Sequence, residues 1–501
     1  MKTDGKRWAI SLIGAMSMVL VMTCLAAAQT AGGALPIPVP TATGPVPVSS
    51  DSLPFSTASR SEPAIDLAAQ GYLEEEFFVT GTGNVYDWAP DGSIKVRTPG
   101  LPFTTRILVR RPSDKTRFSG TVLVDVSNRG DGFDTYATWG QLHDYLLANR
   151  HAYVGVTAFA GNVAALKKFN PARYAPLSFP KPAETCGPAG RAPEFEDGVR
   201  WDVISQIGAL LKSNAQSNPL AGYAVQYVYA SMQSAGDMPT YVNAFPRNMK
   251  LGNGKPAYDA FLIKDSGGPG ALNSCAQRLA EGDPRLVIRN VGVPVIQILA
   301  QNAITANTRR PDSDAAGDQF RRYELPGASH FDLWHFMYRP PLKDITAAGI
   351  KPEDYFQVPR ECEPARAPIN DFPQPYFFNA AFANLDQWVR KGTPPPKAGF
   401  VELKDGKGPE FVNDEFGNVR GGIRSPWFDV PAGTFYPEMK GPGMCRSIGY
   451  WAPFSWTRLE ALYGNRQNYT KKFLESVDRL VTEHWVTAAD GDKLKADLQL
   501  R

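Results

Sequence analysis

Six short runs of apolar and β-branched residues recur along the chain: Ile107-Leu108-Val109, Thr121-Val122-Leu123-Val124-Asp125-Val126, Tyr153-Val154-Gly155-Val156, Val225 to Ala230, Ala260-Phe261-Leu262-Ile263 and Val293 to Leu299. They are near-continuous rather than alternating, which is the pattern of strands covered on both faces. Between them lie stretches of helical spacing, such as the one in which Trp139, Leu142, Tyr145 and Leu146 share a face. Strands that alternate with helices reach parallel neighbours through crossovers, and the crossovers lay helices on both sides of the sheet. The expected fold class is α/β, with a mostly parallel central sheet flanked by helices.

The N-terminus carries Lys2, Lys6 and Arg7, an apolar run from Trp8 to Leu25, and then Ala26-Ala27-Ala28-Gln29. This is the pattern of a secretory signal peptide spanning residues 1–28. The run approaches the ~18 residues of a membrane span, so an uncleaved anchor is the alternative. Val21-Met22-Thr23 makes a poor lipoprotein box before Cys24. The chain is therefore expected to be secreted or periplasmic, with no membrane association after cleavage. Residues 29–62 are rich in Pro, Ala, Thr, Ser and Gly without periodic apolar residues, and are expected to form a flexible leader. The main domain would then run over residues 63–501. Two stretches, near 159–219 and 334–375, interrupt the strand and helix rhythm and are expected to wall or lid a cleft at the carboxyl ends of the strands. The last part is rich in Gly and Pro and ends in an amphipathic helix around Phe473 to Val486.

A net charge of +3, with no basic run and no zinc-like cysteine spacing, argues against nucleic acid as a partner. Nothing in the sequence calls for a metal or organic cofactor. Once Cys24 has left with the signal, Cys186, Cys275, Cys362 and Cys445 remain. In an exported protein this even number allows two disulfides, in pairings that spacing alone does not select.

Chemistry enters after the fourth run, where Ser231-Met232-Gln233-Ser234-Ala235-Gly236 joins a strand to a helix. A tight strand-to-helix turn of the type G-x-S-x-G presents a nucleophilic serine above a parallel sheet, followed along the chain by an acid and a histidine. Ser234 is the candidate nucleophile, with Ser231 the alternative and Met232 in the place of the first glycine. His330, in Gly327-Ala328-Ser329-His330, is the candidate base. His335 is a second choice, and His143, His151 and His484 read as structural. The position after the strand ending at Leu299 reads Ala300-Gln301-Asn302-Ala303 and holds no carboxylate. Asp265, just after the preceding strand, is the candidate acid, and Asp312 serves if its loop folds back. An amide at Gln301 or Asn302 could orient the imidazole, although it stabilises an imidazolium less than a carboxylate does. Backbone N–H groups at Asn128, in Ser127-Asn128-Arg129-Gly130, and at Ala235 are placed to receive an oxyanion.

Further motifs are Leu146-Leu147-Ala148-Asn149-Arg150-His151-Ala152-Tyr153-Val154-Gly155-Val156, Pro171-Ala172-Arg173-Tyr174, Trp201-Asp202-Val203-Ile204-Ser205-Gln206, Thr240-Tyr241-Val242-Asn243, Leu385-Asp386-Gln387-Trp388-Val389-Arg390 and Asn413-Asp414-Glu415-Phe416-Gly417-Asn418-Val419-Arg420-Gly421-Gly422. Taken with Gln233-Ser234-Ala235-Gly236, they resemble the family of exported, esterase-like alpha/beta hydrolase domain-containing proteins over about Phe77 to Tyr436. The resemblance implies an α/β-hydrolase fold and carboxylic-ester hydrolysis without naming a substrate, and it places His330 at the family's histidine; the substrate expected is a small or medium-sized carboxylic ester. The family's turn reads like G-x-S-Q-S-A-G, so a gapless match puts Ala230 at the glycine and Met232 at the nucleophile. The family's acid would fall on Gln301 to Ala303. Two readings follow: a serine hydrolase whose turn has slipped to Ser234, or a degenerate hydrolase fold that binds a small molecule or partner without turnover.

Overall fold

The computed structural model describes residues 33–182, 194–233, 237–265, 270–280, 282–351, 361–365, 367–406 and 410–500. Its strands run in chain order β1 (Leu35–Pro36), β2 (Thr41–Thr43), β3 (Tyr72–Trp88), β4 (Ile94–Pro112), β5 (Thr121–Val126), β6 (Ala152–Val156), β7 (Tyr227–Gln233), β8 (Met249–Lys250), β9 (Ala260–Lys264), β10 (Val295–Ala300) and β11 (Phe320–Leu325). The helices nearest the sheet are α1 (Ala137–Ala148), α2 (Ala160–Phe169), α3 (Arg200–Leu211), α4 (Asp237–Asn248), α5 (Leu333–Phe336), α6 (Leu342–Ala347) and α7 (Gln374–Lys391).

Among the described residues the main sheet has nine strands in the order β11-β10-β9-β7-β5-β6-β4-β3-β2. From β11 to β6 every pairing is parallel, and β4, β3 and β2 continue it antiparallel. Every residue of β5, β6, β9 and β10 is buried, as the near-continuous apolar runs require, and so is every residue of β11, including Arg321, Arg322 and Glu324. One face of the sheet packs Val124, Ala230 and Phe261 against Trp201 and Val203 of α3 and Tyr241 and Phe245 of α4. The other packs Leu123, Tyr229 and Leu262 against Leu142 of α1 and Phe378 and Phe382 of α7.

Three expectations change. The fourth run extends further than its apolar residues suggest, because β7 pairs with β9 through Ser231, Met232 and Gln233, opposite Leu262, Ile263 and Lys264. The stretch near 159–219 is only partly a cleft insertion: all 12 residues of α3 are buried in the helix layer over the sheet. The described part of the leader, residues 33–62, is packed rather than flexible. Thr41–Thr43 pair with Phe78 to Thr80 at the sheet edge, and Phe55 is buried beside the rings of Phe133 and Phe169. The Phe55 N–H donates to Tyr174 Oη at 2.8 Å, and its carbonyl accepts from the buried Arg106 guanidinium. Arg106 in turn pairs with Glu76 and Asp134. The segment has too few apolar residues to build its own core, and it borrows order from a buried polar network that needs its backbone.

Residues 1–28, the expected signal peptide, lie outside the described residues, as do Cys24 and Cys186. Cys362 and Cys445 are joined in a disulfide, and Cys275 is also disulfide-bonded. The amphipathic helix expected to end the chain is Arg466–Thr482, with Phe473, Val477 and Leu480 buried on one face, and a further helix, Ala488–Leu500, follows it. No helix among the described residues is long and apolar enough to cross a membrane.

Replacing Phe55 with Ala should cost about 3 kcal/mol or more of stability, the usual penalty for emptying a buried aromatic site. A urea denaturation midpoint unchanged from that of the wild type would show that the segment is only loosely attached.

Candidate active site

The carboxyl ends of β7, β9 and β10 and the loop after β11 converge on one place. Gln233, the last residue of β7, is buried, and its Nε2 donates to the His330 carbonyl at 3.2 Å. Ser234 and Ala235 follow directly in the chain and lie outside the described residues. The two other positions considered for the nucleophile are inside β7. Ser231 is fully buried, with its Oγ 2.9 Å from Thr138 Oγ1 of α1. Met232 points to the opposite face of the sheet and packs in the core. Neither stands at the turn, since the strand continues past both and α4 begins only at Asp237.

His330 sits at the end of a loop fastened by neutral amides. Gln301 Oε1 accepts from the Gly327 N–H at 2.8 Å, and Asn302 Oδ1 accepts from the His330 N–H at 2.9 Å. Asn370 Nδ2 donates to the Gly327 carbonyl and Ser329 Oγ, and Gln374 Nε2 donates to the Ser329 carbonyl. Gly327 has φ +74°, and a Cβ there would lie 2.5 Å from the Phe428 ring, so both conformation and space demand glycine. Gln301 and Asn302 therefore hold the loop's backbone rather than the imidazole.

The imidazole meets a carboxylate instead. Asp265, the residue after β9, places Oδ2 3.1 Å from His330 Nδ1. Its Oδ1 accepts from the Ala300 N–H at 2.6 Å, and its own N–H donates to the Ile298 carbonyl at 2.9 Å. Asp265 has φ +43°, a left-handed conformation that costs a non-glycine residue energy and that these bonds to β10 hold in place. Burial works to raise its pKa, yet Lys264, His330 and the Ala300 N–H together hold the carboxyl below the usual carboxylate range. Asp312 lies elsewhere, accepting from the Arg322 N–H and facing Arg321. His335 is buried, with its ring stacked on Phe331 and 6.5 Å from that of His330; burial drives its pKa well below the ordinary value, and Arg339 and Lys264 add to this. It packs between Phe331 and Phe336 rather than against the Asp265 carboxylate.

A family profile described as an alpha/beta hydrolase domain matches residues 42–496. The chain belongs to the alpha/beta hydrolase family. Solved structures to which it is similar include fungal esterases from Rhizomucor miehei (12% identity, 64% of this chain and 85% of the other, TM-score 0.33). Others are the esterase Est22 (12% identity, 56% and 81%, TM-score 0.28) and a putative dienelactone hydrolase from Klebsiella pneumoniae (11% identity, 54% and 95%, TM-score 0.27). No curated protein matches the chain.

Around this candidate site, one expected oxyanion donor is occupied. The Asn128 N–H donates to the Thr135 carbonyl at 3.1 Å, and the Asn128 side chain accepts from Gly130, so its backbone is unavailable to an oxyanion. The N–H of Arg129, next in the loop, donates to no backbone carbonyl among the described residues. The Arg129 side chain pairs with Asp237, the first residue of α4, at 3.4 Å; the buried Arg200 takes the other Asp237 oxygen at 3.0 Å. Arg129 and Arg200 also line a cleft of about 440 Å³, together with Ala160, Phe195, Ala271 and Asn273. Its size is within the range of small-ligand sites, and Phe195 brings part of the stretch near 159–219 into its wall.

Sequence reasoning passed over two charged groups beside the centre. Lys264 ends an otherwise apolar strand, and that mismatch was the available signal. Asp332 is wholly buried and caps α5, its Oδ1 accepting from the His335 N–H at 2.7 Å. Burial pushes its carboxyl up to about 6, against the pull of Lys264 and of that N–H. A raised folded value means that the folded state holds the proton more tightly than the unfolded chain, so Asp332 erodes stability as pH climbs from about 4 to about 6. Asp332→Asn keeps an oxygen for the cap and should be about 2 kcal/mol more stable than the wild type above that window, and level with it below. Urea unfolding on both sides of the window reads the difference; a constant offset would contradict it.

Proposed function

We propose that the protein is an exported serine hydrolase acting on small or medium-sized carboxylic esters, with Ser234 as nucleophile, His330 as general base and Asp265 as the acid that orients it. The observation that carries this reading is the 3.1 Å approach of Asp265 Oδ2 to His330 Nδ1, one residue beyond β9, with Gln233 at the end of β7 bonded to the same histidine's backbone. The chain order serine, acid, histidine is that of α/β-hydrolases.

In the proposed reaction, His330 Nε2 accepts the proton of Ser234 Oγ as that oxygen bonds to the acyl carbon. Asp265 holds Nδ1 protonated and offsets the imidazolium charge. The oxyanion is received by the N–H of Ala235 and by that of Arg129. Collapse breaks the ester C–O bond, and Nε2 returns the proton to the departing alcohol. Water then attacks the acyl-enzyme by the same route and releases the acid. The degenerate reading drew on Met232 at the nucleophile position and on a missing carboxylate. It loses support because Met232 is a core residue of β7 and because Asp265 approaches the imidazole. Export is supported by the signal-like N-terminus and the Cys362–Cys445 disulfide.

A fluorophosphonate probe should label the wild type and Ser231→Ala but leave Ser234→Ala unlabelled; an unlabelled wild type would overturn the assignment. With a p-nitrophenyl ester, Asp265→Asn should lower kcat by roughly 10²–10⁴-fold and His330→Ala by at least as much.

A further inference from the structure

Lys264 ends β9 with its side chain only 1% exposed, and its Nζ lies 3.4 Å from Asp265 Oδ2. That oxygen is the one facing His330 Nδ1. Nζ makes no directed hydrogen bond among the described residues, so the ammonium is held by charge rather than by a donor geometry. Its other surroundings are the Phe378 ring of α7, centred 5.8 Å away, and the electrostatic reach of Asp332 and His335 of α5. A buried ammonium is expensive, and an apolar residue of similar length would suit the face that Leu262 shares with α7. The sequence keeps a charge where packing gains nothing from one.

We propose that Lys264 is a positioning residue of the hydrolytic centre, its ammonium keeping Asp265 ionised and turned toward Nδ1 so that His330 carries its proton there and leaves Nε2 free to accept. This rests on the serine-hydrolase reading above. The need is local. Asp265 is buried, stands in a left-handed conformation, and among the described residues receives one backbone N–H, that of Ala300, on its far oxygen. Without a cation beside it, a carboxyl so placed takes up a proton and becomes a donor to Nδ1, which forces the imidazole into the wrong tautomer. Among the described residues the charged and titratable groups facing it are Lys264 on β9, His330 in the loop after β11 and Asp332 at the cap of α5; His335 on α5 faces Lys264 and His330, and Arg339 just beyond α5 faces His335.

The test compares Lys264→Met, Lys264→Gln and Lys264→Arg. The ¹³Cγ resonance of Asp265, assigned with Asp265→Asn, is titrated by NMR, which requires no turnover. Its midpoint should rise by about one pH unit or more in the Met and Gln variants and return toward wild type in Lys264→Arg. The acid limb of fluorophosphonate labelling should move upward with it, so that the rate falls about tenfold at mildly acidic pH and much less at alkaline pH. An Asp265 midpoint that stays put in a folded Met or Gln variant overturns the proposal. A wild type that is never labelled refutes the hydrolase reading while the NMR titration still decides the role of Lys264. If neither neutral variant folds, the double variant Lys264→Met with Asp265→Asn should fold, since both charges leave together; failure of the double variant alongside a folded Lys264→Arg counts against Asp265 as the partner.

Discussion

The backbone register of three parallel strands governs everything at the site. Gln233 of β7 faces Lys264 of β9, and Lys264 faces Ile298 of β10, so the chain leaves all three strands at one level. Asp265 then bonds twice to β10, through its N–H to Ile298 and through Oδ1 to Ala300. The carboxylate is thus anchored to the sheet itself rather than to a loop, and a register slip of one residue would carry it to the other face. This placement explains how an acid on the strand before the expected one reaches the histidine.

The histidine's own support is of a different kind. Its loop is held by Gln301, Asn302, Asn370, Gln374 and Gln233, all neutral amides. An amide satisfies backbone donors or acceptors in a dry site without adding a charge that would perturb the imidazole. Lys264 and Asp265 bring charge to the Nδ1 side of the ring, where direction matters. The two types of contact divide the work between holding the loop and setting the electrostatics.

Much of the architecture was legible in the sequence because burial on both faces leaves unbroken apolar runs; five of the six runs became parallel strands, and Ile107-Leu108-Val109 lies in the antiparallel β4. The true end of β7 was not legible, since Ser231 and Gln233 are polar and it is pairing with β9, and for Ser231 also with β5, that keeps them in the strand. Asp265 and His330 could be named from their positions after strands, whereas Asn128 could not be judged, because its N–H is claimed by a carbonyl seven residues on, in a turn that composition does not reveal. Lys264 was overlooked because a lysine at a strand end ordinarily reads as a solvated terminus. The leader was misjudged for a related reason: its composition describes what it can bury alone, and its order comes from Tyr174, Arg106 and β3.

That last attachment reaches beyond the leader. Thr41–Thr43 cover part of the long outer strand β3, and the Phe55 carbonyl serves an arginine with no exposed surface. A chain trimmed to begin after residue 62, as its composition invites, would uncover that sheet edge to other molecules and strip an acceptor from a buried guanidinium at the same stroke. A form that keeps both attachments begins ahead of β2, well upstream of the point where the sequence starts to look like a domain.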